Sequence, residues 1–109
     1  MACYLFDIDG TIVHYHTSEW LPGAKEYLEE LASRGNQIVF VTMRTDKRDA
    51  NTAWSEEKTK ELLSVLSFDY RILHDVQSPR IITDDSKVEA IKRKQNTDWW
   101  DELELLKRG

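Results

Sequence analysis

The chain has 109 residues, of which 40% are hydrophobic and 32% charged, and its formal net charge is −5. This length suits one domain, predicted over residues 1–109, and the composition excludes an extensively disordered chain. The acidic balance disfavours nucleic acid as the main partner, because nucleic-acid-binding proteins usually present a basic face.

The first half of the chain predicts two buried strands joined through a helix. Residues 3–8 form an apolar run typical of a buried parallel strand, and the polar, aromatic stretch 10–21 predicts a loop. A helix is predicted from Pro22, because apolar residues then recur at helical spacing, and Gly35 is expected to end it in the left-handed conformation. The run QIVFVT, residues 37–42, predicts the second strand.

The second half continues the alternation of helices and strands. Residues 43–53 predict an irregular loop, packed by Trp54. The chain then predicts, in order, a helix capped by Ser55, strands at 69–73 and 79–83, and helices at 86–95 and 99–107. Strands that alternate with helices imply βαβ units, so the predicted fold class is α/β with a parallel sheet.

Polar side chains are concentrated at the carboxyl ends of the predicted strands. Asp7 and Asp9 follow the first strand, Thr42 ends the second, and Asp84 and Asp85 follow the last. In an open α/β sheet these ends converge on one crevice, where ligands bind. Four carboxylates at one point repel one another, so either some are protonated or a cation lies among them. Hard oxygen ligands without His or Cys favour Mg²⁺.

Three segments together resemble one enzyme family. FDIDGTI at the first strand, VFVTMR at the second and IITDDS at the last are similar to the motifs of the haloacid dehalogenase-type (HAD) phosphohydrolases, and the resemblance spans residues 3–95. It implies a three-layer Rossmann-like fold with helices on both faces of the sheet. Residues 10–21 and 43–78 are too short for the family's cap domains, so a capless member with an open site is expected.

The resemblance also implies a role for each motif residue. Asp7 resembles the nucleophile, which would attack phosphorus and form an aspartyl-phosphate, and Asp9 resembles the general acid and base. The substrate phosphate would be held by Gly10, Thr42, Met43 and Arg44. Mg²⁺ would be bound by the carboxylate of Asp7, the main-chain carbonyl of Asp9, Asp84 and Asp85.

One part of the family pattern is absent. The family normally places a Lys shortly before the last acidic strand, and the stretch YRILHDVQSPRIITDD has none, with Ser78 in the expected place. Candidate substitutes are Arg44, Arg80, and Lys58 or Lys60 on the preceding helix. Arg44 is the favoured phosphate contact, since a guanidinium grips phosphate through two donors, and the alternative is an ordinary surface Arg.

The predicted function is therefore Mg²⁺-dependent hydrolysis of a phosphomonoester. The missing Lys leaves an alternative, a phosphate-binding or regulatory protein that has lost efficient turnover. A phosphoacceptor receiver domain is disfavoured, because its phosphorylated Asp should end a middle strand and a Lys the last one. A small molecule such as a nucleotide or sugar phosphate is the expected substrate, with a polynucleotide end as the alternative.

Four aromatic residues outside the motifs are candidates for substrate stacking, core packing or association. Tyr15 and Trp20 lie beyond Asp9, where they could stack on a substrate, while Trp20 could instead pack against the following helix. Trp99 and Trp100 are expected to close the core, and the alternative is a homodimer formed through this Trp99–Trp100 tail.

Cysteine usage and hydropathy predict the compartment. Cys3 is the single cysteine, it lies in the first apolar run, and it is expected to be buried and inert. Asp7 interrupts the N-terminal apolar stretch, so no signal peptide is predicted, and no apolar run is long enough to span a membrane. A cytoplasmic protein is expected.

Overall fold

The computed structural model describes residues 1–45 and 55–109. Trp54 and most of the predicted 43–53 loop lie outside the described residues. The described chain forms, in order, β1 (Cys3–Phe6), α1 (Ala24–Ser33), β2 (Gln37–Val41), α2 (Glu56–Leu63), β3 (Arg71–Leu73) and α3 (Trp100–Arg108). The predicted α/β class is confirmed.

The three strands form one parallel sheet with β2 in the centre. Phe6 at the end of β1 is paired with Phe40 in β2, which is paired in turn with Ile72 in β3. Because the strands are parallel, their carboxyl ends lie along the same edge of the sheet. After Gln37, β2 is buried along its length, as its apolar sequence predicted.

Local signals in the sequence place the first two helices. Gly23 precedes α1 with φ of 80°, and Gly35 follows it with φ of 85°, so glycine occupies the left-handed position at both ends. Ser55 caps α2, where its hydroxyl accepts a hydrogen bond from the Lys58 amide at 3.1 Å. Both helices begin within two residues of their predicted starts.

The core lies between the sheet, α1, α2 and the C-terminal segment. Leu28 and Leu31 of α1 are buried together with Phe40 of β2 and with Ile8 and Ile12, which follow β1. Helix α3 packs against α1. Among the described residues, no helix combines the length and the apolar character needed to cross a membrane.

The structure corrects three predictions. Residues 79–83 form no strand and residues 86–95 form no helix. Ile81 is 85% exposed and Ile91 is 78% exposed, so these apolar residues do not pack against the sheet. A strand requires a hydrogen-bonded neighbour, and a short apolar run does not specify one. Cys3, expected to be buried, is exposed, because it begins a strand at the edge of the sheet.

Candidate active site

Asp7 and Asp9 lie just beyond the carboxyl end of β1. Ile8 between them is fully buried and anchors the segment in the core. Gly10 then turns the chain with φ of 79°, and its amide donates a hydrogen bond to the Val13 carbonyl at 2.8 Å. An added Cβ at Gly10 would lie 2.8 Å from Cγ of Gln95, and the positive φ of Gly10 is a conformation that other residues rarely adopt.

The Asp7 carboxylate is half-buried and has a partner at each oxygen. Its side chain is 35% exposed. The Thr11 hydroxyl donates a hydrogen bond to Oδ2 at 3.1 Å, and Nη1 of Arg80 lies 3.3 Å from Oδ1. Burial raises the pKa of Asp7 above its ordinary value, while the charge of Arg80 and the Thr11 hydrogen bond oppose that rise. These two partners favour the ionised carboxylate, which is the nucleophilic form.

The Asp9 carboxylate is held by both arms of a buried guanidinium. Nε of Arg44 donates to Oδ2 at 3.0 Å, and Nη2 donates to Oδ1 at 2.8 Å. Arg44 is fully buried, and within the described residues its guanidinium also donates to the Thr59 hydroxyl at 3.3 Å and to the Thr17 carbonyl at 3.0 Å. Such a bidentate ion pair fixes the orientation of the carboxylate as well as its position.

The residues after β2 occupy two different environments. Thr42 is fully buried, and its hydroxyl accepts a hydrogen bond from the Arg44 amide at 3.0 Å. Met43 is exposed. Thr42 therefore lies at the end of a strand, as predicted. The burial of Arg44 against Asp9 depends on contacts with Thr17 and Thr59, which no sequence motif indicates.

A polar cleft of about 420 Å³ opens in front of the two carboxylates. It is lined by Asp7, Asp9, Gly10, Thr11, Tyr15, Arg93 and Gln95. Tyr15 is stacked on His16, with 3.8 Å between the ring centroids, and forms an exposed aromatic wall. Trp20, the other predicted stacking residue, packs against the core instead.

The C-terminal segment supports the loop that carries the site. The Asn96 amide donates to the Gly10 carbonyl at 2.8 Å, and the Asn96 side chain accepts from the Tyr15 amide at 2.9 Å. Nε1 of Trp99 donates to the Thr11 carbonyl at 2.8 Å. These contacts join residues more than 80 positions apart, and no sequence signal predicted them.

The predicted metal ligands do not come together. Asp84 and Asp85 are exposed, and Oδ1 of Asp84 accepts a hydrogen bond from the Ser86 amide. In residues 1–45 and 55–109, no group of three or more His, Cys, Asp or Glu side chains could hold a metal ion. The carboxylates of Asp7 and Asp9 are instead paired with guanidinium groups. The donor set in this arrangement does not fit a Mg²⁺ centre.

Comparisons with known proteins identify the family. No curated protein and no solved structure matches the chain. A family model described as haloacid dehalogenase-like hydrolase matches residues 4–77, a range that contains Asp7, Asp9, Thr42 and Arg44. It covers well over half of the chain, so the protein belongs to the haloacid dehalogenase-like hydrolase family.

Proposed function

We propose that the protein hydrolyses phosphomonoesters, with Asp7 as the nucleophile and Asp9 as the general acid and base. The observation that carries this proposal is the pairing of two carboxylates on one wall of a cleft, in chemically different surroundings. Asp7 is partly exposed and accepts one hydrogen bond at each oxygen. Asp9 is held in one orientation by a buried guanidinium. Family membership supports hydrolase chemistry at this position.

The two carboxylates divide the reaction between them. In the first step an Asp7 oxygen forms a bond to phosphorus while the bond to the leaving oxygen breaks, and Asp9, which enters this step in its protonated form, donates its proton to that oxygen. In the second step Asp9 accepts a proton from a water molecule, whose oxygen attacks phosphorus. Asp7 is then released as a carboxylate, and the phosphoryl group leaves as inorganic phosphate.

The proposal assigns the remaining predicted site residues as follows. Gly10, Thr42 and Met43 remain the predicted phosphate contacts, of which Gly10 lines the cleft, and Arg44 acts by holding Asp9. Mg²⁺ dependence rests on the family alone, because the ligands predicted from the sequence are not assembled. No step above is therefore routed through a metal.

The preferred substrate is a small molecule that enters an open, capless site. The net charge of −5 disfavours a long polyanion, so a polynucleotide end is the weaker candidate. The cleft is lined by the segment from Asp7 to Tyr15 and by Arg93 and Gln95, so no separate cap is needed to form it.

Hydrolysis of p-nitrophenyl phosphate at neutral pH tests this function. Wild type should release phosphate, and Asp7→Asn should lower kcat by a factor of about 10³ or more, as loss of a covalent nucleophile does. Asp69→Asn makes the same change at an exposed position and should leave the rate unchanged. Each rate is measured with Mg²⁺ and with EDTA. Equal activity of Asp7→Asn and wild type would exclude Asp7 as the nucleophile.

A phosphate-binding or regulatory role is the second candidate. The observation that favours it is that both carboxylates already form ion pairs with arginines. This role predicts that inorganic phosphate binds while a panel of phosphate esters is not turned over. The hydrolase proposal predicts turnover of at least one ester in the panel.

A further inference from the structure

The loop that starts at Gly10 and reaches Tyr15 borders the cleft, and it lies outside the helices and strands of the fold. Gly10 and Thr11 line the cleft next to Asp7, and Tyr15 lines it from the other end of the loop. The Tyr15 side chain is half exposed, so packing holds it only weakly. The position of its ring therefore depends on how the main chain of Tyr15 is fixed.

Asn96 forms hydrogen bonds with both ends of this loop. Its amide donates to the Gly10 carbonyl at 2.8 Å, and its side-chain Oδ1 accepts a hydrogen bond from the Tyr15 amide at 2.9 Å. Asn96 has φ of 63°, a left-handed conformation that Asn adopts more readily than most residues. One residue thus directs a main-chain donor and a side-chain acceptor at the same loop.

The residues that follow Asn96 attach it to the core. Trp99, three positions further on, is buried, and its amide donates to the Pro22 carbonyl at 2.8 Å. The Trp99 indole donates to the Thr11 carbonyl, in the middle of the same loop. A hydrogen bond positions a partner well when the group that makes it is itself held in place. Asn96 therefore connects the main chain of Tyr15 to the packed interior.

We propose that Asn96 is a positioning residue, which acts through the Tyr15 amide to fix the aromatic wall on which the organic group of a bound phosphate ester lies. Residues 7–9 are held separately, by the burial of Ile8 and by the Arg44 ion pair. Loss of the Asn96 side chain therefore weakens ligand binding and leaves the reacting carboxylates in place. The inference rests on the proposed function for the identity of the ligand, but binding of an inert phosphonate is measurable without turnover.

The first test measures binding of phenylphosphonate, whose phosphorus–carbon bond replaces the ester bond that would be hydrolysed. Asn96→Gly keeps the main-chain amide and accepts the left-handed conformation, so it removes only the side-chain acceptor. It should raise the dissociation constant, measured by titration calorimetry, about 3-fold or more, as expected for the loss of one neutral hydrogen bond.

Asn36→Gly is the matched control. It also removes a side-chain oxygen that accepts a hydrogen bond from a main-chain amide, that of Ala2 at 2.9 Å. Asn36 directly precedes β2, at the end of the sheet opposite to the cleft. This variant should bind phenylphosphonate as wild type does. Thermal unfolding of both variants checks that they are folded.

A double substitution separates positioning from a general loss of stability. Tyr15→Ala removes the ring but keeps the main-chain amide, and it should also raise the dissociation constant. Asn96→Gly in the Tyr15→Ala background should add little, because no ring is left to position. In hydrolysis of p-nitrophenyl phosphate, Asn96→Gly should raise KM and leave kcat within about 2-fold of wild type.

The possible results divide as follows. An unchanged dissociation constant in Asn96→Gly would overturn the proposal, and so would an equal rise in Asn36→Gly or additive rises in the double variant. A fall in kcat without a rise in KM, or wild type that binds no phenylphosphonate, would overturn it as well. If the binding results hold but no ester is hydrolysed, the inference stands and the hydrolase proposal fails. If esters are hydrolysed and Asn96→Gly binds phenylphosphonate normally, the reverse holds.

Discussion

Arg44 and Asp9 form the most deeply buried ion pair in the described part of the chain. Neither charge can be removed alone without leaving its partner unpaired in a region with little water. Breaking such a pair costs more than the pair itself contributes, because the remaining charge is uncompensated. The pair is therefore needed for the stability of the fold as well as for the orientation of Asp9.

Arg44→Met is expected to lower the free energy of unfolding by about 3–5 kcal/mol, the usual cost of stranding a buried charge. Urea denaturation measures this loss. Asp9→Asn in the Arg44→Met background should cost little more, since the stranded charge is then gone, so the two losses should not add. Additive losses, or a loss below about 1 kcal/mol in Arg44→Met, would show that the pair is not formed in solution.

The tail helix α3 is connected to the site through one tryptophan. Trp99, directly before α3, is buried, with its ring centroid 4.6 Å from that of Tyr27 on α1. Its indole also donates to the Thr11 carbonyl beside Asp7. Trp100 is half exposed. The core role expected of Trp99 is confirmed, while a homodimer through the Trp99–Trp100 tail stays a prediction.

Trp99→Ala is expected to destabilise the protein by about 3–5 kcal/mol, the range for removing a large buried aromatic side chain. Trp100→Ala should cause a clearly smaller loss, because half of that side chain is already in contact with water. Chemical denaturation of the two variants provides the comparison. Equal losses would contradict the placement of Trp99 in the core.

Tyr27 on α1 makes the stability of the folded protein depend on pH in the alkaline range. Burial, followed by the charges of Tyr4 and Glu102, raises the pKa of Tyr27 above its ordinary value of 10.0. The folded protein therefore keeps this proton to a higher pH than the unfolded chain does. The contribution of protonated Tyr27 to the free energy of unfolding is fully present below about pH 10. It is lost as the pH rises through the pKa of Tyr27 in the folded protein.

Tyr27→Phe should reduce the fall in Tm between pH 8 and pH 10.5, because phenylalanine has no proton to lose. The Tm of Tyr15→Phe, a change at an exposed tyrosine, should fall by as much as the Tm of wild type does. Tyr70, whose pKa burial also raises, leaves some alkaline sensitivity in every variant. Identical pH profiles for wild type and Tyr27→Phe would show that this tyrosine is not shielded from water.

The segment from residue 80 to residue 94 is the largest departure from the predicted fold. It contains the acidic pair Asp84–Asp85, expected at the end of a strand, yet it is irregular and mostly exposed. β1 lies at one edge of the sheet and is paired with β2. Because residues 79–83 form no strand, Asp84 and Asp85 do not line the cleft beside Asp7.

Hydrogen–deuterium exchange tests this arrangement across the whole chain. Amides of residues 80–94 should exchange rapidly, because they are exposed and lie outside regular structure, whereas those of Val39 and Phe40 in β2 should be strongly protected. Exchange is read by mass spectrometry after short labelling times at neutral pH. If the amides of residues 80–83 were as protected as those of β2, the irregular structure of this segment would be contradicted. The predicted strand and the predicted position of Asp84 at its end would then be supported.

Much of the fold was readable from local sequence. Apolar runs located β1 and β2, Gly35 and Ser55 marked helix boundaries, and Asp-x-Asp-Gly after a strand indicated the candidate site. These signals are readable because each depends on the residues nearest it, through periodicity, capping and backbone conformation. The family could be inferred for the same reason, since its first motif lies within one strand and one turn.

The partners of the Asp7 and Asp9 carboxylates could be identified only in the folded chain. Arg44 was expected to contact phosphate but lies buried on Asp9, and Arg80 contacts Asp7 although the two residues are 73 positions apart in the chain. Residues 79–95 have the pattern of a strand and a helix, but their apolar residues Ile81 and Ile91 are exposed and do not pack against the sheet. Such choices depend on contacts between residues tens of positions apart, where burial and charge neutralisation outweigh local preference.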